Sequence, residues 1–145
     1  MSDVKGFAEL IRRMEGLSRE VQTKLGQAAN RAGAVVIARV VKQNAKIGPT
    51  AEGATRTRRR KNGSKRETPH KKIVNSIKVR KSRNIETTKV QNTIAIYAPQ
   101  ASWEEFGSIH NKPTHFMERS VDAAQPDALA AMAKTLNKRL TKAGV

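Results

Sequence analysis

The chain contains no cysteine, so neither a disulfide framework nor thiolate chemistry is open to it, which fits a reducing compartment. Aromatic side chains are scarce: one Trp, one Tyr and three Phe in 145 residues. No apolar run approaches a membrane span, and the first residues lack the apolar core of a signal peptide. The reading is therefore of a protein made and used in a cytoplasm, away from membranes. Hydrophobic content, at 37%, is also low. Small Ala and β-branched Val and Ile must fill most of a lean core. Acidic residues are outnumbered, 12 against 29 Lys and Arg, giving a net charge of +17. A field of that size repels a compact fold and favours polyanionic partners. There is no internal repeat, and the length predicts a single domain spanning 1–145.

Four of the five aromatics lie between Tyr97 and Phe116, in YAPQASWEEFGSIHNKPTHF. Pro99, Gly107 and Pro113 divide that stretch into a turn, a short helix over Ala101 to Phe106, and a loop. It reads as the hinge between a β-hairpin and the C-terminal helices.

Upstream, Phe7, Leu10, Ile11 and Met14 mark a short helix over Asp3 to Met14 that Gly16 interrupts. Ser18 is placed to cap a long helix, and Val21, Leu25, Ala28, Ala32, Val35 and Val36 give it an apolar stripe up to Ala45. Gly26, Ala29 and Gly33 make a bare strip along it. Glycine costs about 1 kcal/mol in a helix interior, so the strip predicts close packing against another helix or subunit. Downstream, Ile77 to Arg80 and Val90 to Ile96 alternate like two strands joined by the loop RNIETT. A helix over Phe116 to Ala124 follows. A last helix opens with Pro126 in its first turn and carries Leu129, Met132, Ala133, Leu136 and Leu140 on one face. The fold class is α+β: a long N-terminal helix and C-terminal helices on a small antiparallel sheet.

The charge is concentrated. Arg56 to Arg83 holds thirteen Lys and Arg against Glu67 alone. Residues 49–69 contain no large apolar side chain, which predicts a flexible basic loop. Arg56, Arg58, Arg59, Arg60, Lys61, Lys65 and Arg66 are the candidate contacts with nucleic acid or an acidic partner. With no interleaved aromatics the run suits phosphates rather than bases. A solvated loop with no partner is the plainer alternative.

Signals for catalysis are weak. Gly48 to Thr55 approaches a phosphate-binding loop, but it lacks the lysine and follows a helix rather than a strand. His110 and His115 are five apart, off the spacing that shares a helix face, and are expected as surface or packing residues. A small metal-dependent nuclease built on them with Glu104 is the remaining enzymatic rival. Glu104 and Glu105 are adjacent and diverge on a helix, one toward solvent and one toward a basic neighbour. No catalytic residue, metal ligand or cofactor site is assigned.

Three segments resemble the small tail-completion, or head–tail joining, proteins of long-tailed double-stranded DNA bacteriophages. Ile73 to Val79 resembles their L-x-x-S-I-x-V. Ala101 to Ser108 resembles A-x-x-x-E-F-G-T, and His115 to Ser120 resembles P-F-L-R-P-A before a last helix. His70-Lys71 replaces a T-G pair, Gln100 a tyrosine, and His115 and Arg119 two prolines. The resemblance implies a structural virion protein, not an enzyme. It implies a homo-oligomeric ring at the phage neck, stacked on tail-tube and connector or head-completion proteins around the DNA channel. Such a protein passes through the host cytoplasm during assembly. A free, sequence-independent nucleic-acid-binding protein is the alternative. Within the motif, Trp103, Glu105, Phe106, Gly107 and Phe116 are the structural residues, with Trp103 and Phe106 expected to anchor the short helix on the sheet. Gly107 is expected to turn with positive φ. Gly26, Ala29 and Gly33 are the candidate subunit-packing strip, with the long helix and hairpin near subunit contacts.

Overall fold

The computed structural model describes residues 6–45, 55–69, 72–81 and 90–144. It is an α+β fold of five helices and two small antiparallel sheets. Helix α1 (Phe7–Glu15) leads into α2 (Arg19–Asn44) through Gly16 to Ser18. Ser18 stands at the cap position, but its hydroxyl makes no capping bond. Gln22 instead turns back and donates to the carbonyls of Met14 and Leu17, fastening the corner between the two helices.

The largest packing surface joins α2 to α5 (Phe116–Lys142). The pair is antiparallel: Leu25 and Ala29 share a cluster with Leu136 and Leu140, Gly33 meets Met132, and Asn44 donates to Ser120 at 2.9 Å. Along α5 the buried residues Phe116, Ser120, Ala124, Ala128, Leu136 and Leu140, with half-buried Met132 between the fourth and fifth, keep a four-residue step, which lays one ridge on the partner. Buried Ser120 is satisfied twice, donating to the Phe116 carbonyl and accepting from Asn44. This polar pair pins the register of an otherwise small-residue seam.

Two expectations change here, and a third finds one of its two partners. The core face of α2 is Leu25, Ala29, Gly33, Ala34, Ala38 and Val41, while Val35 of the expected stripe is exposed. Ala29 and Gly33 of the bare strip belong to this core face and pack closely against another helix, α5, one of the two partners expected of the strip. A Cβ on Gly33 would lie 2.8 Å from Met132 Cγ and Sδ, whereas one on Gly26 would make only ordinary contact with Val90, at 3.5 Å. Gly33 and Ala29 are filled by α5 of the same chain, which leaves no space there for a subunit. Finally, the two expected C-terminal helices are one, running through Pro126. Proline cannot donate back to the carbonyl four residues earlier, and Asp122, which loses that bond, lies on the exposed side where water replaces it.

A short helix α3 (Ile73–Ser76) feeds β3 (Ile77–Lys81), which pairs with β4 (Asn92–Ile96) in the register Ile77↔Ile96 and Val79↔Ile94. Those four side chains pack toward the cluster of Ala38, Val41, Ala45, Ile73, Ala98 and Phe116. Val90 precedes the strand rather than opening it, and Asn30 of α2 holds its carbonyl at 2.9 Å. The RNIETT loop and the Gly48-Pro49 helix stop lie outside the described residues.

Between the helices and this sheet, residues 55–69 are not the shapeless loop their composition predicts. They form an antiparallel ribbon, β1 (Thr55–Arg59) and β2 (Lys65–Pro69). Gly63, at φ 80°, closes the turn by donating to the Arg60 carbonyl, and Asn62 Oδ1 accepts from the backbone and hydroxyl of Ser64. The signal is the Asn62-Gly63 turn pair, with Thr55, Thr57 and Thr68 in the segments on either side. Hydrophobicity, which the ribbon lacks, is the wrong guide.

Candidate interaction surfaces

Arg58, Arg59, Arg60, Lys61, Lys65 and Arg66 are all exposed on the ribbon and its turn, and Arg56 lies on β1. The register sets Arg58 opposite Arg66 and Arg59 opposite Lys65. Directly opposed like charges destabilise a strand pair, and these two pairs fall on opposite faces because side chains alternate. The ribbon is therefore basic on both faces. Lys78 and Arg80 add to the basic surface from β3, with Arg80 stacked 4.7 Å above the Tyr97 ring.

The second surface is built by the E-F-G-S motif. Helix α4 (Gln100–Phe106) buries Ala101 and Glu105, not its aromatics. Trp103 is 53% exposed and Phe106 77%, so neither anchors the helix on the sheet as expected. The anchor is Glu105. Its carboxylate accepts from the backbone N–H of Met117 at 2.8 Å and of Glu118 at 3.3 Å, supplying two of the partners that the first turn of α5 lacks. The positive end of the helix dipole favours that negative charge. Glu105 thus pairs with backbone amides. Its partners lie twelve and thirteen residues away, so no local capping pattern announces it.

Gly107 does turn with positive φ, at 83°, and an added Cβ would sit 2.9 Å from Pro113 Cδ and 3.1 Å from the Asn111 carbonyl. The loop it opens is well tied. Thr114 N–H and hydroxyl both donate to the Glu104 carbonyl at 2.7 Å, and Ser108 and Asn111 exchange backbone bonds. Ile109 rides on this loop at 95% exposure. His115 ends the loop at φ 49° and caps α5 from a left-handed conformation. Proline, fixed near −65°, cannot adopt that φ, so the residue that departs from the phage-protein pattern also sets a different backbone.

Beside α4 lies an open groove of about 590 Å³. Ile94, Ile96, Met117, Val121 and Phe106 supply its apolar wall, and Glu105 and Glu118 its acidic one. His115 Nδ1 lies 3.4 Å from a Glu118 carboxylate oxygen, and with Glu105 their potential ligand atoms fall within 4.8 Å of one another. Folding does gather carboxylates and a histidine here, but not His110 or Glu104 as the nuclease reading requires. Capping accounts for the cluster: all three residues serve or adjoin the amino end of α5, where the dipole favours anions over cations.

No family model matches the chain, and neither the curated proteins nor the solved structures offer a match. Among the described residues, no helix is long and apolar enough to cross a membrane.

Proposed function

We propose that this chain is a structural component of a bacteriophage virion, a tail-completion or head–tail joining subunit that assembles into a ring at the neck. One observation carries the reading. Phe106 of the resembling motif faces outward on the wall of an uncovered apolar groove, and Trp103 of the same short helix is also exposed. Apolar surface gathered in one place serves contact with other subunits better than it serves a monomer. The role is architectural rather than catalytic, with tail-tube and connector proteins as neighbours on the two sides of the ring and the virion neck as its location.

The experiment is deletion of the gene from its phage with imaging of the products. Filled heads and finished tails that fail to join, restored by the wild-type chain, are the expected result. Normal joined particles, or particles whose neck lacks the protein, overturn the reading.

The ribbon favours a second reading, a free nucleic-acid-binding protein that contacts phosphates without sequence preference. Its support is the pairing of like charges across both faces, which a polyanion would relieve. Mass measurement in solution separates ring from free monomer or dimer, and neutralising Arg58, Arg59, Arg60 and Lys61 together separates two uses of the ribbon within the ring. A subunit that grips an acidic protein neighbour would then fail to join heads to tails. One that touches DNA in the channel would assemble yet hold or release DNA poorly.

A further inference from the structure

The charge of this chain is divided in a way its total hides. Residues 100–127 hold Glu104, Glu105, Glu118, Asp122 and Asp127 against Lys112 and Arg119, a net of −3, so everything else carries +20. The acidic part is α4 and the first half of α5, the same elements that wall the groove. Glu118 and Asp122 are exposed, one turn apart on α5, and Val121 is exposed between them at the groove.

A complementary surface lies on α2. Arg31, Val35 and Arg39 follow one another at four-residue steps and all are exposed, on a side of the helix that neither α5 nor the β3–β4 sheet covers. Neither arginine has an ion pair among the described residues. Val35, between them, is 44% exposed. The acidic surface has an apolar centre with carboxylates one turn apart; the basic one has an apolar centre with guanidinium groups on either side.

We infer that the groove between β4, α4 and α5 is the docking site for the exposed α2 face of a second copy of this chain, with Arg31 and Arg39 of one copy meeting Glu118 and Asp122 of the next. The inference rests on the proposed ring assembly and names the surfaces that build it. Two different surfaces of one chain meeting head to tail make a heterologous contact, the kind that closes into rings. The charges act chiefly by setting register and orientation and by rejecting the like-charged approach, while the valines and the groove wall supply the buried apolar area.

The absence of cysteine makes the test free of background. Val35→Cys and Val121→Cys are introduced in separate chains, mixed and oxidised mildly. The expected product is a disulfide-linked dimer, at least about tenfold above that from Val35→Cys mixed with a Lys138→Cys control, as steered encounter predicts. Both cysteines in one chain should give a ladder of covalent oligomers, as a heterologous contact requires. Arg31→Glu with Arg39→Glu should bring the yield down to the control. Adding Glu118→Lys and Asp122→Lys to the partner chain should restore it, with the melting curve of each variant showing that it folds. Yields at the control level for the first mixture, or no restoration on the double reversal, overturn the inference. Location of the protein at the neck without cross-linking would keep the proposed function and remove this interface. Cross-linking in a protein absent from the neck would do the reverse.

Discussion

Helices α2 and α5 lie against each other through Gly33, Ala124 and Ala128, side chains so small that the helix backbones themselves come close. The β1–β2 ribbon has long side chains and nothing to press them against. Among its residues whose side chains are described, only Thr68 is half-buried. Order in the helix pair comes from excluded water and close contact. Order in the ribbon comes from its own backbone bonds and one Asn-Gly turn, opposed by two like-charge pairs. Close packing and concentrated positive charge are thereby placed in different parts of the molecule, so the ribbon can be altered with little effect on the seam.

The strongest way to break that division is through the core. Phe116 is fully buried at the head of α5, and Phe116→Ala should cost about 3–5 kcal/mol in denaturant unfolding. A cost below that of an ordinary surface change would mean that the seam is not where stability resides. Next comes the cap. Glu105→Ala leaves the Met117 and Glu118 amides without their carboxylate and should cost about 1–3 kcal/mol; Glu105→Gln should recover part of that through its amide oxygen. Trp103→Ala should change stability by no more than about 0.5 kcal/mol, since the ring is half in solvent. Tryptophan emission of the free protein at water-exposed wavelengths is the matching optical result, and a blue-shifted band would return the ring to the core. The smallest thermal effect belongs to the ribbon. Neutralising Arg58, Arg59, Arg60 and Lys61 should leave the melting temperature nearly unchanged. It should also flatten the salt dependence of DNA binding by about 0.9 in log–log slope for each phosphate that the ribbon no longer neutralises. An unaltered slope would take DNA binding away from the ribbon.

Much of the architecture is legible from periodicity. The long helix, the β3–β4 pair and the short α4 follow from apolar spacing and from breaks at Gly16, Pro99 and Gly107. The orientation of those elements is harder to read. Large apolar residues suggest one buried face for α2, yet Val35 faces out while Ala29 and Gly33 face in, because α5 offers a ridge that only small residues admit. The same preference for large groups would bury Trp103 and Phe106. A carboxylate, Glu105, holds α4 in place instead, through bonds to a helix start that is remote in sequence. Pro126 suggests a beginning, although an exposed proline within a helix sacrifices a bond that water can replace. Composition locates the basic cluster in the chain but gives no hint of its strand register.

That register gives the ribbon a dependence on its surroundings. Arg58 against Arg66 and Arg59 against Lys65 repel most strongly when the chain is unbound and the salt is dilute. On the nucleic-acid reading, a strand of phosphates laid along either face would neutralise the repulsion as it binds, so pairing of the strands and grip on the ligand would reinforce each other. The apparent affinity then contains the fraction of free molecules whose ribbon is already closed. Salt acts on this in two opposing directions, raising that fraction by screening while weakening each phosphate contact. Arg66→Thr separates them. It removes one cross-strand repulsion and one cation together, so its loss of affinity should be smaller than that of Arg60→Thr in the turn, where no opposing charge is relieved.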